Sequence, residues 1–86
     1  MGLDLVEIVI EAEEEFNVNI DGRDPPLLVG DLLTAVIASI RSQSPESQLS
    51  DEDIWRRLQR MISEQLGVPI QQVTPSANFV TDLGCT

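Results

Sequence analysis

LDLVEIVIEAEEEF, residues 3–16, repeats apolar side chains at intervals of three and four. Leu5, Ile8, Val9, Ala12 and Phe16 therefore fall on one side of a helix, with Asp4, Glu7, Glu11 and Glu14 on the opposite side. Asp4 and Glu7 stand in the first turn, where negative charge is favoured by the helix dipole. A helix this short is marginal in isolation, so its apolar stripe requires partners elsewhere in the chain.

Working outward, residues 17–28 read as a loop, because Asn17, Asn19, Asp21-Gly22 and Pro25-Pro26 favour turns and the proline pair prevents a long helix. One short helical turn at most fits there. Val29, Leu32, Leu33, Val36, Ile37 and Ile40 form a second stripe, which predicts a helix over 29–41. Residues 42–50, centred on Pro45, read as a flexible polar connector. Ser50 followed by Asp53 predicts a capping box that opens a third helix over 51–66, and Gly67 predicts its C-terminal stop. The stripe of this helix is Ile54, Trp55, Leu58, Met61, Ile62, Gln65 and Leu66. Residues 67–86 lack a sustained period and read as a long loop held to the core by Val68, Ile70, Val73, Phe79 and Leu83. The expected fold is all-α, a single domain over 1–86 with three main helices in a bundle.

Composition narrows the partners. The net charge is -10, there is no His, and all five basic residues are Arg. Such a balance disfavours nucleic acid, whose phosphates require Lys and Arg, and favours basic protein surfaces. Nine carboxylates lie in residues 1–31 against one Arg, whereas Arg56, Arg57 and Arg60 cluster within the third helix. Neither a membrane span nor a signal peptide is evident, so the expected location is the cytoplasm. The single cysteine, Cys85, leaves no intramolecular disulfide.

The two ends of the chain carry a further signal when tail is joined to head. Phe79-Val80-Thr81-Asp82-Leu83-Gly84-Cys85-Thr86 followed by GLDLVEIVIEAEEEF from Gly2 resembles the central stretch of acyl carrier proteins, FxEDLGxDSLDxVELxMxxEEEF. Gln65-Leu66-Gly67-Val68 and the following VTPxAxFVxDLG pattern add to the match. The resemblance implies a circularly permuted acyl-carrier-like bundle. In it, 51–66 corresponds to the family's first helix, 67–86 to its long loop, 3–16 to its second helix and 29–41 to its fourth. The 42–50 connector would bridge the family's termini. Exchange of helices between chains, or excision from a longer array, is the alternative, so the expected state is a monomer or a helix-exchanged dimer.

What the resemblance implies chemically is a carrier or docking module for acyl intermediates in fatty acid or polyketide synthesis. The family's cofactor is 4'-phosphopantetheine, esterified to the serine of an Asp-Ser-Leu motif. Alignment on the LVEI run puts Gly2 at that serine, Leu3 at the leucine and Thr86 at the aspartate. Gly2 has no nucleophilic oxygen, so the attachment site is carried over to no residue. Thr86 offers a neighbouring hydroxyl, but it is β-branched and terminal. Cys85 reads either as a small apolar side chain or as a terminal thiol able to crosslink two chains, with no nearby cation to activate it.

By resemblance, Leu3, Asp4, Glu7, Ile10, Glu13 and Glu14 form the partner-binding surface, offering carboxylates and one apolar contact to basic patches. The partners implied are acyl-processing enzymes and a phosphopantetheinyl transferase. The plainer reading is a solvated helix face. Asn17 to Gly22 imitates the start of a calcium loop, but Leu28 replaces the bidentate Glu and Pro25-Pro26 interrupts it, so no metal site is expected. No nucleophile and base combination is available, and the chain is expected not to be an enzyme. The rival to a carrier is an armless interaction or regulatory module using the acidic helix, or an engineered permutant.

Overall fold

The computed structural model describes residues 5–20 and 28–84. Three α-helices appear in chain order: α1 (Leu5–Phe16), α2 (Val29–Gln43) and α3 (Asp51–Leu66), followed by a single 3-10 turn at Ile70–Gln72. Each helix packs against the other two, and the 3-10 turn packs on α3. Among the described residues there is no strand, and an isolated antiparallel bridge pairs Leu28 with Asn78. The Cα radius of gyration is 12.0 Å. A compact chain of this length has about 12 Å, in keeping with three helices packed directly on one another.

The core follows the stripes. Leu5, Ile8 and Ala12 of α1, Val29, Leu32, Val36 and Ile40 of α2, and Ile54, Leu58, Met61 and Ile62 of α3 are buried in one cluster. Val9, Phe16, Leu33, Ile37, Trp55 and Leu66 are half-buried at its edge. From the segment after α3, Val73, Ala77, Phe79 and Leu83 enter the same cluster, and Phe79 is fully buried. Full burial of a side chain this size contributes about 1.5–3 kcal/mol. Two expected anchors fail: Ile70 is 43% exposed, and Gln65 faces solvent. Gln65 is displaced because the stripe continues through Ile62 to Leu66, and Ile70 because its carbonyl, not its side chain, is the point of attachment to α3.

Helix ends explain the boundaries. Ser50 Oγ accepts from Asp53 N–H at 3.1 Å while Asp53 accepts from Ser50 N–H at 3.4 Å, the expected reciprocal cap. At the other end Gly67 has φ +67°, and the Gly67 and Val68 amides both donate to Ser63 O. α2 extends two residues past the expected Arg41, because the Gln43 side chain is held: its Nε2 donates to Asn19 O at 2.7 Å and its Oε1 accepts from Asn19 N–H at 2.9 Å. The connector shrinks to 44–50 and is more organised than its composition suggested. Ser47 N–H donates to Ser44 O, Leu49 packs on the core, and Arg41 pairs with Asp51 across the connector at 2.5 Å. That pair is exposed and contributes at most about 1 kcal/mol.

The segment after α3 is tied down by polar bonds as well as by its apolar anchors. Gln59 Nε2 donates to Ile70 O (3.1 Å) and Val73 O (2.9 Å), and Ser63 Oγ donates to Val68 O (2.7 Å). Farther on, Val29 N–H donates to Ala77 O (3.0 Å) and Gly30 N–H to Pro75 O (2.8 Å). These are orphan amides of the first turn of α2, so residues 75–77 act as its cap in place of a side chain. Only glycine allows this approach, since a Cβ on residue 30 would lie 2.8 Å from Pro75 O. Residues 78–83 form a capped turn: Asn78 Oδ1 accepts from Val80 N–H and Thr81 N–H, and Asp82 Oδ2 accepts from Asn78 N–H at 2.7 Å.

Candidate functional site

The outer face of α1 is the candidate site. Glu7, Ile10 and Glu14 recur at three and four residues, and all three side chains are exposed. Ile10 is 46% exposed between the two carboxylates, beside Val6 at 54%. A shallow depression adjoins this stripe, lined by Ile10, Glu13, Glu14, Asn17, Val18 and Asn19. Neither Glu7 nor Glu14 is ion-paired among the described residues, so their charge is presented to solvent. The face can attract cationic side chains and seat an apolar one.

Glu13 differs from its neighbours. It is half-buried, and its carboxylate accepts from Ile20 N–H at 2.8 Å while its carbonyl accepts from Val18 N–H at 3.0 Å. Asn17 stops α1 in the left-handed region at φ +54°, which turns Val18 into the core. With Gln43 gripping Asn19 from α2, Glu13 fixes the rim of the depression. Its first duty is therefore structural, a role visible in the sequence only as an acidic residue just before a turn. Of the remaining residues expected at this surface, Leu3 and Asp4 lie outside the described residues, as do Gly2, Cys85, Thr86 and the 21–27 part of the calcium-like segment.

Glu11 and Glu15 turn away from the stripe toward α3. They line a groove with Arg56, Arg57, Arg60 and Glu64. Arg57 pairs with Glu15 at 3.2 Å and its guanidinium carbon lies 5.4 Å from the Phe16 ring centroid, a cation–π contact that binds α1 to α3. Arg56 pairs with Glu52 one turn earlier on α3 at 2.7 Å. Sequence periodicity placed Glu11 on the outer face with Glu7 and Glu14; the half-burial of Glu11 in this groove corrects that. Among the described residues no three His, Cys, Asp or Glu side chains are grouped to hold a metal, and no helix is long and apolar enough to cross a membrane.

Comparison with known proteins gives one informative likeness. The chain is 50% identical over 36 residues to an acyl carrier protein of Guillardia theta, a match that covers 42% of this chain and 44% of the relative. The chain thus spans less than half the length of that curated relative. No protein-family model and no solved structure matches the chain.

Proposed function

We infer that the chain serves acyl synthesis as a non-catalytic module of acyl-carrier type, built on the family's helices in permuted order and docking through the outer face of α1. The carrying observation is the exposed stripe of Glu7, Ile10 and Glu14, two unpaired carboxylates flanking an apolar side chain, in a chain that shares half its residues with an acyl carrier protein over the matched stretch. Its partners are basic patches on acyl-processing enzymes, met in the cytoplasm. Exposed charges of this kind speed and orient encounter more than they add affinity, which suits brief visits to several enzymes.

The permuted order is supported by how short the joins are. Seven residues, 44–50, connect α2 to α3, and Arg41 and Asp51 meet across them. The segment leaving α3 then returns over α2, caps it through Pro75 and Ala77, and lodges Phe79 and Leu83 in the core. An arm of 4'-phosphopantetheine needs a hydroxyl for its phosphodiester, and neither Gly2, which aligns with the family's serine, nor any residue of α1 offers one. No step through that group is therefore assigned to this chain, and docking is the function its own residues support.

Binding to an immobilised ketosynthase of a carrier-dependent system, followed at increasing salt, tests the reading. Affinity is expected to fall as salt rises. The E7R/E14R variant is expected to bind about tenfold more weakly or worse, since each contact changes from attraction to repulsion. Equal binding by the two proteins would exclude α1 as the docking face.

A further inference from the structure

The groove between α1 and α3 is lined by cations and anions in equal number, unlike the acidic chain as a whole. Arg56, Arg57 and Arg60 there face Glu11, Glu15 and Glu64, whereas the whole chain carries -10. The net negative charge therefore lies on the rest of the molecule. Two copies brought together across the outer face of α1 meet like charge, and two copies brought together groove to groove do not.

Internal pairing leaves charges of both signs available in the groove. Arg57 is engaged by Glu15, and Arg56 by Glu52. Arg60, Glu11 and Glu64 form no ion pair among the described residues, and Arg60 does not close one with Glu64 although the two are one turn apart on α3. Exposed Ile70 at the same groove supplies apolar surface beside them. A surface that holds equal charges of both signs, with a free cation and a free anion in line along one helix, is complementary to itself.

We propose that this groove is a self-association surface that takes a second copy of the chain in a two-fold symmetric contact, with Arg60 of each protomer opposite the partner's Glu64. A two-fold axis repeats every contact. With the two α3 helices antiparallel across it, residues four apart, about 6 Å along the helix, exchange places, so both ion pairs form at once. All helices stay within their own chain, which separates this assembly from a helix-exchanged dimer. The outer face of α1 stays open for docking.

Sedimentation equilibrium over a concentration series to about 1 mM, the weakest association worth assigning, tests the proposal with three proteins: wild type, R60E and E64R. Both substitutions fall on solvent-facing side chains without ion pairs, and circular dichroism checks that the variants fold. Wild type is expected to show a concentration-dependent dimer. Each variant alone is expected to dissociate at least about tenfold more readily, because its two contacts become like-charged. An equimolar mixture of R60E and E64R is expected to regain the wild-type dimer, since every contact then pairs opposite signs again. A wild-type protein that stays monomeric throughout, a dimer indifferent to both substitutions, or a mixture that fails to regain association would each overturn the proposal.

Discussion

Replacing Gly30 with alanine tests the most constrained contact in the fold. In most exposed helix positions such a change stabilises, because alanine exceeds glycine in helix propensity by up to about 1 kcal/mol. Here the added Cβ would stand 2.8 Å from Pro75 O, and the obstacle is backbone, which cannot swing aside as a side chain would. The 75–77 segment must retreat, which loses or lengthens the bonds from Gly30 N–H (2.8 Å) and Val29 N–H (3.0 Å). Two such bonds contribute about 1 kcal/mol each, and overpacking costs a further ~1–3 kcal/mol. After the propensity gain, a net loss of about 2–4 kcal/mol remains, or a fall in Tm of roughly 10 °C or more for a domain of this size. Urea and thermal unfolding followed by circular dichroism and by Trp55 fluorescence would measure it. Gly67 is the control, since its Cβ would meet nothing and only its φ of +67° resists substitution. G67N should therefore be better tolerated than G67A, because asparagine enters the left-handed region more readily, whereas G30N should be at least as damaging as G30A. A G30A protein as stable as wild type, or more so, would refute the claim that residues 75–77 cap α2 at close approach.

Other consequences can be checked on the same material. N78A removes the acceptor of the Val80 and Thr81 amides and should cost about 1 kcal/mol, read from urea midpoints at unchanged slope. F79A empties a fully buried site and should cost about 3–5 kcal/mol, which in a domain this small is expected to abolish cooperative unfolding at room temperature. Incubation with coenzyme A and a broad-specificity phosphopantetheinyl transferase should leave the intact mass unchanged beside a carrier that is modified; a gain of one arm would restore carriage and locate its hydroxyl by fragmentation.

The helices were legible because their information is periodic. The stripes of α1, α2 and α3 predicted most of the buried residues, and Ser50, Asp53 and Gly67 marked both ends of α3, since caps are local chemistry. What the sequence concealed depends on contacts between distant residues. Nothing around Gln43 announces that its amide will grip the backbone of Asn19, so the end of α2 read two residues short. Nothing in the residues around Gly30 announces the Pro75 carbonyl packed against it. Asn78 and Asp82 did carry a readable signal, an amide and a carboxylate spaced for a capped turn, within a stretch that lacked apolar period.

The candidate site was legible to a similar degree. Exposure of Glu7 and Glu14 follows from helical spacing, and that of Ile10 was implied by the resemblance. The structural duty of Glu13 and the turning of Glu11 toward the arginines of α3 do not, because both are set by neighbours far along the chain. The run of three glutamates, uniform as sequence, divides in the structure into Glu13 bonded to the loop, Glu14 facing solvent and Glu15 paired with Arg57.

The docking face is tested most directly by an amide NMR titration of the isotopically labelled chain with a carrier-dependent ketosynthase. The account predicts that shift changes and line broadening concentrate on α1 at Glu7, Ile10 and Glu14 and at the adjoining Asn17–Asn19 rim, and that E7R/E14R suppresses them. Perturbations centred instead on Arg56, Arg60 and Ile70, or spread evenly over the chain, would contradict it.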